Sequence, residues 1–248
     1  MGCVVVVVAY VAVLYYFFVE PLSFRWRAIY GEPDYPEGYE VRGIDISRYQ
    51  ANINWEVLRN AKVNERPLRF VIVKATEGST MTDVDFNDNF YKARVNDLIR
   101  GAYHYYKPNG DPVSQAKFFL KQVHLEAGDF PPVLDIEERG SKPLKRFLQD
   151  LKTWLDMVEE AYGVPPIIYT NLDFKKTYLS TPEFERYPLW IANYYKTELT
   201  YQGDWVIWQY TDWGVIDGIK GKVDFNLFNG DFAALQRLLI PDAAVPNR

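Results

Sequence analysis

A single cysteine, Cys3, stands in this chain of 248 residues, so no intramolecular disulfide is available and a cross-linked mini-scaffold is excluded. Histidine is nearly as scarce. His104 and His124 are the only two, and neither belongs to a paired Cys/His spacing of the kind that holds zinc, so no metal and no cofactor are expected. The chain has no Gly-x-Ser-x-Gly elbow, which disfavours an α/β-hydrolase triad. It also lacks a Gly-x-Gly-x-x-Gly and a phosphate-loop lysine, which removes the nucleotide-site reading. Basic charge is in deficit as well: the net charge is −5 and the lysines and arginines are scattered, so nucleic acid is not an expected partner. No solenoid repeat or low-complexity tract occurs, and the length suits one barrel-sized domain, expected as a monomer.

Aromatic residues are abundant at 17%, with 19 Tyr and 7 Trp; they serve a core, and their flat faces with polar tips also suit sugar rings. Residues 2–19 form 18 uncharged, mostly apolar positions closed by Glu20 and Pro21, about the minimum for a membrane-spanning helix. A cleaved signal peptide is the rival reading, but the run ends in Tyr15-Tyr16-Phe17-Phe18 without a small-x-small site. The expectation is a membrane anchor or signal segment over 1–19 and a proline-bearing linker over 20–40. The folded domain is expected over 41–248, facing the periplasm or the exterior, or secreted if the segment is cleaved.

From Val41 onward, eight short strand-like runs recur: 42–47, 70–75, 99–105, 133–137, 167–170, 189–192, 205–210 and 222–225. Amphipathic stretches at 55–61, 86–97, 114–125, 142–162 and 172–179 separate the early runs, and 231–239 reads as a closing helix. Such alternation predicts an α/β fold with a parallel sheet, and eight strands suggest closure into a barrel. The gaps after Ala192 and Tyr210 leave little room for a crossover helix, so the last third should be irregular.

In a barrel of this kind chemistry gathers where the strands end. Asp45, Glu77, Asp135 with Glu137, and Asp224 all fall near predicted strand ends. Asp135 and Glu137 are spaced i, i+2, so both point to one side of their strand. Two carboxyls side by side in a dry mouth cannot both ionise freely, and one keeps a proton at neutral pH, as glycoside hydrolysis requires. Each of the other acids alone has a structural reading as a turn cap or an ion-pair partner; the pair is harder to explain by stability, because burying two like charges is costly. His104, between tyrosines on a strand, reads as a hydrogen-bonded packing residue rather than a base.

The ordered set Arg42-Gly43-Ile44-Asp45-Ile46-Ser47 with Tyr49-Gln50, Phe70 to Gly78, Gly101 to Tyr106, Leu134-Asp135-Ile136-Glu137, Leu189 to Tyr194, Trp208 to Thr211 and Val223 to Asn226 resembles glycoside hydrolase family 25, the Chalaropsis-type lysozymes. The resemblance implies an irregular TIM-like barrel of eight strands and about five helices, (β/α)5(β)3. It implies cleavage of the β-1,4 bond between N-acetylmuramic acid and N-acetylglucosamine in peptidoglycan glycan strands. Glu137 then takes the part of general acid and Asp135 assists at the substrate acetamido group, with Asp45 and Asp224 completing the acidic cluster. Whether the acetamido oxygen attacks, or Asp45 or Asp224 activates water, stays open, as does retention versus inversion. Lys74, Glu77, Tyr105, Tyr169, Trp190, Tyr194 and Gln209 are the expected sugar-groove residues.

Unlike many members, the chain carries no wall-binding repeat after the barrel and has an apolar segment before it. Two rival functions stand beside the muramidase. A chitinase-like or glucosaminidase enzyme would want acids at 130 and 133, where Phe130 and Val133 occur, and a non-catalytic wall-binding barrel predicts loss of acids that are all present.

Overall fold

In a computed structural model, which describes residues 35–50 and 52–242, eight strands pair edge to edge until the first meets the last. The apolar segment 2–19 with Cys3, and the linker up to residue 34, lie outside the described residues. Among the described residues no helix is long and apolar enough to cross a membrane.

The sheet contains β1 (Arg42–Ile46), β2 (Lys62–Val63), β3 (Arg66–Glu77), β4 (Met81–Thr82), β5 (Ile99–Tyr105), β6 (Val133–Asp135), β7 (Ile167–Asn171), β8 (Leu189–Ala192), β9 (Ile207–Gly214) and β10 (Val223–Phe228). β1, β3, β5, β6, β7, β8 and β9 run parallel in that order around the barrel. β10 closes it antiparallel to both β9 and β1. The alternation predicts a parallel sheet with an irregular last third, and β10 is the one barrel strand that departs from parallel. The segment joining β9 to β10 is too short for a crossover, so the chain turns straight back. β2 and β4 are short antiparallel additions to β3; Asn64 and Glu65, both at positive φ, make the two-residue turn between β2 and β3.

The helices are α1 (Trp55–Leu58), α2 (Phe86–Val95), α3 (Pro112–Gln122), α4 (Leu144–Tyr162), α5 (Leu172–Tyr178), α6 (Pro182–Glu185) and α7 (Phe232–Leu238). Local sequence sets their ends: Asn54, Asp111, Asn171 and Asp231 each accept a backbone N–H of the first turn, and Gly163 at φ 69° stops α4. The crossovers after β1, β3, β5, β6 and β7 carry helices, and those after β8 and β9 carry none, so the irregular five-plus-three barrel stands.

Two cores follow from strand alternation. Phe70, Ile72, Phe130, Val133, Ile167, Tyr169 and Trp190 fill the barrel, while Val71, Val73, Leu134, Ile168 and Ile191 face the helices and meet Phe147, Leu151, Trp154 and Leu155. At Gly43 a Cβ would come within 2.1 Å of the Phe70 ring, so only glycine lets that ring cross the barrel beneath Asp45. His104 lies in the outer core, fully buried, with Nδ1 at 2.7 Å from Thr76 Oγ1 and its ring stacked on Trp154. Burial pulls it down to about 3, so it is a neutral packing residue. The packed unit begins at Tyr35, earlier than the Val41 boundary read from sequence.

Candidate active site

A cavity of about 200 Å³ is lined by Asp45 from β1, Tyr103 from β5, Asp135 from β6 and Glu137 just after it, Tyr169 from β7, Trp190 from β8 and Tyr194 just after it, Gln209 from β9, and Asp224 from β10. It lies where the parallel strands end. Because β10 is reversed, Asp224 arrives from the start of its strand and stands directly opposite Asp45 in the ladder. Cavities of about 310 and about 670 Å³ occur elsewhere, but neither collects acids from strand ends.

The four acids form two pairs. Asp135 and Glu137 lie within hydrogen-bonding reach of each other. Burial, then the charge of Glu137, raise Asp135 well above the usual carboxylate range. Burial also raises Glu137, opposed by the bond from Asp135 and by Lys74. Both shifts favour a retained proton, most strongly at the fully buried Asp135, while Glu137 keeps access to solvent on one side. Asp135 Oδ1 is buried and has no hydrogen-bond partner among the described residues.

Asp45 and Asp224 make the second pair. Burial raises both, but Asp45 Oδ1 accepts from Asn226 Nδ2 at 2.7 Å and from Gln209 Nε2 at 2.8 Å, which favours its charged form. Asp224 has no such amide donors among the described residues and is raised further, by burial first and then by the Asp45 charge. The shared proton belongs to Asp224 and the negative charge to Asp45.

The donors are themselves held. Tyr169 Oη and Tyr194 Oη each donate to Gln209 Oε1 at 2.7 Å, fixing which way the amide faces, and Trp190 Nε1 donates to Asn226 Oδ1 at 2.8 Å. Gln209 and Trp190 thus line the cavity while spending their polar atoms on protein. Such a connected network holds its members in one geometry.

Lys74, Glu77 and Tyr105 do not line the cavity. They form a cluster beside it on β3 and β5, where Lys74 Nζ meets Glu77 Oε2 at 2.7 Å and lies 4.9 Å from the centre of the Tyr105 ring. Although burial pushes Glu77 up, hydrogen bonds from Lys107 and Lys74 hold it below its ordinary value. Sequence reading missed Tyr103 and Asn226. Both were within reach of the alternation rule, since each lies two residues from a chosen residue, Tyr105 and Asp224, on the same strand face.

A narrow cavity with a proton-holding acid pair beside an oriented carboxylate suits acid-assisted cleavage of a polar bond. Residues 44–219 match the family described as glycosyl hydrolases family 25. Among curated relatives, the uncharacterized protein YegX of Escherichia coli K12 is 43% identical over 81% of this chain and 74% of its own. Lysozyme M1 of Streptomyces globisporus is 32% identical over 80% of this chain and 71% of its own. The crystal structure of the bacterial lysozyme from Streptomyces coelicolor superposes with a TM-score of 0.74 at 28% identity, covering 84% of this chain and all of that one. With that match spanning β1 to the β9–β10 connection and the same fold in a solved relative, this chain belongs to glycosyl hydrolases family 25 and is a glycoside hydrolase.

Proposed function

We propose that the chain is a peptidoglycan hydrolase, an N-acetylmuramidase that cleaves the β-1,4 bond between N-acetylmuramic acid and N-acetylglucosamine, with Glu137 as general acid and Asp135 assisting. The observation that carries this reading is the Asp135/Glu137 pair, two carboxyls in mutual contact with one buried and one open to solvent. The pair's proton leaves through Glu137 to the glycosidic oxygen as the C1–O bond breaks. Asp135, now a carboxylate with the free acceptor Oδ1, stabilises a 2-acetamido group whose oxygen closes on the anomeric carbon. Water then opens that intermediate and returns a proton to Glu137. Asp45, ionised and clamped by two amides, adds negative charge across the cavity from the developing cation, with Asp224 as its proton-holding neighbour.

Tyr169, Tyr194 and Trp190 serve as walls for the sugar, and the uncharged run at 2–19 as an anchor or export segment that places the barrel at a cell wall outside the cytoplasm. The test compares the full chain with Glu137→Gln on purified peptidoglycan, reducing products with borohydride and reading new ends by mass spectrometry. Muramitol ends from the wild type, and a loss of about a thousandfold or more in the folded variant, are expected. Glucosaminitol ends would establish the glucosaminidase alternative, and bound glycan without new ends the non-catalytic one.

A further inference from the structure

We infer that Lys107, together with Lys74, is a carboxylate-binding arm of the groove that reads the acidic substituent carried on O3 of muramic acid. This rests on the muramidase reading above. Lys74 Nζ and Lys107 Nζ approach opposite oxygens of one carboxylate, Glu77 Oε2 and Oε1, each at 2.7 Å. Both also stand over the Tyr105 ring, 4.9 and 4.5 Å from its centre. Two ammonium groups share one carboxylate here, so Lys74, Lys107 and Glu77 together carry one positive charge, set among Glu137, Asp135 and Glu138, which act on the same tyrosine.

The two lysines are not equivalent. The Lys74 and Glu77 side chains are 16% and 17% exposed and already satisfy each other, whereas Lys107 is 50% exposed. Neutralising Glu77 needs Lys74 alone. Lys107 has three donors, of which the structure commits one to Glu77, and its half-exposed ammonium can offer the others to an incoming anion. The cluster is also close to the reacting centre: Lys74 acts on both Asp135 and Glu137, and the Tyr105 hydroxyl is raised to about 12 by burial and then by Glu137 and Asp135.

In muramic acid the O3 lactyl arm is the ring substituent next to the 2-acetamido group that Asp135 would hold. The ligand class is therefore a carboxylate on an arm at C3, one ring position from the acetamido-bearing carbon and two from the anomeric carbon. It has two sources, the lactyl carboxylate of a peptide-free strand or the acidic groups of a stem peptide. A plain N-acetylglucosamine polymer carries neither, so the arm discriminates by charge.

The test uses the full chain on three glycans: peptide-bearing strands, strands stripped by an amidase to bare lactyl carboxylates, and stripped strands with those carboxyls capped as methylamides. For Lys107→Glu, KM is expected to rise about tenfold on one or both carboxylate-bearing glycans, with kcat within about twofold. On the capped glycan the variant should lose nothing beyond what capping already costs the wild type. Lys107→Arg should restore most of the loss. A loss confined to the peptide-bearing strands assigns the arm to the stem peptide, and one on stripped strands to the lactyl group. Equal losses on all three glycans, or none on any, would overturn the inference while leaving the muramidase intact; a wild type without activity on every glycan would overturn both.

Discussion

Asp45 is the residue whose role depends most on its neighbours. Buried as it is, it would rise toward the protonated form, and Asn226 and Gln209 hold it back through hydrogen bonds to one oxygen. Removing a donor removes stabilisation of the charged form, so the Asp45 pKa moves up. If activity requires Asp45 ionised, rate falls as pH drops through that value, and the acid limb of the profile shifts to higher pH. Asn226→Ala should therefore lose about tenfold in kcat/KM on the acid side while recovering toward wild type at higher pH. A profile of kcat/KM against pH checks this; a uniform loss at every pH would make Asn226 a packing residue only. Asp45 itself was legible in the Gly43-Ile44-Asp45-Ile46-Ser47 run. Gln209 was legible as a groove residue and Asn226 within reach of strand alternation, but their hydrogen bonds to Asp45 were not, because both are remote in sequence and meet it only when β1, β9 and β10 close the barrel.

At the scale of elements, the strands and the helices after β1 to β7 were readable because alternation and helical spacing leave marks in the chain. The direction of β10 left none. A strand has the same alternation read either way, so Asp224 was placed near the mouth while the reversal that puts it opposite Asp45 went unseen. The β2–β3 turn was also missed, since Asn64 and Glu65 reach positive φ without a glycine. Gly43 joins element to site: β1 approaches Phe70 so closely that a methyl group would overlap the ring, with contacts of 2.1 to 2.3 Å. Gly43→Ala should cost about 2–3 kcal/mol in urea denaturation, since overpacking a filled core is relieved only by displacing ring or strand. Adding Phe70→Leu should recover part of that, and a double-mutant cycle showing no coupling would mean the strand yields elsewhere.

For the molecule as a whole, the helix-poor side of the barrel has a cover that composition did not announce. The connections after β8 and β9 carry no helix, and Tyr35 and Tyr39 pack against aromatic residues of β9, β10 and the segment just before β9. Tyr35 meets Tyr210 and Phe225, Tyr39 meets Trp205 and Trp208, and the Pro36 carbonyl accepts from the buried Arg42 Nη2 at 3.1 Å. The segment read as linker is, from Tyr35 on, part of the barrel wall. A chain beginning at Val41 strips two aromatic rings from apolar partners and removes the one hydrogen bond of a guanidinium whose Nε and Nη1 already have none among the described residues. Half-burying two rings contributes about 3 kcal/mol, so the shortened chain should melt roughly 6–12 °C below one beginning at residue 34. Because the cover lies outside the barrel and the acids inside its mouth, kcat below the melting range should be equal for the two chains. Equal melting temperatures would show that this strip adds nothing to the fold, and a fall in kcat without a fall in stability would show that the outer face of β9 and β10 reaches through to Gln209 and Asp224.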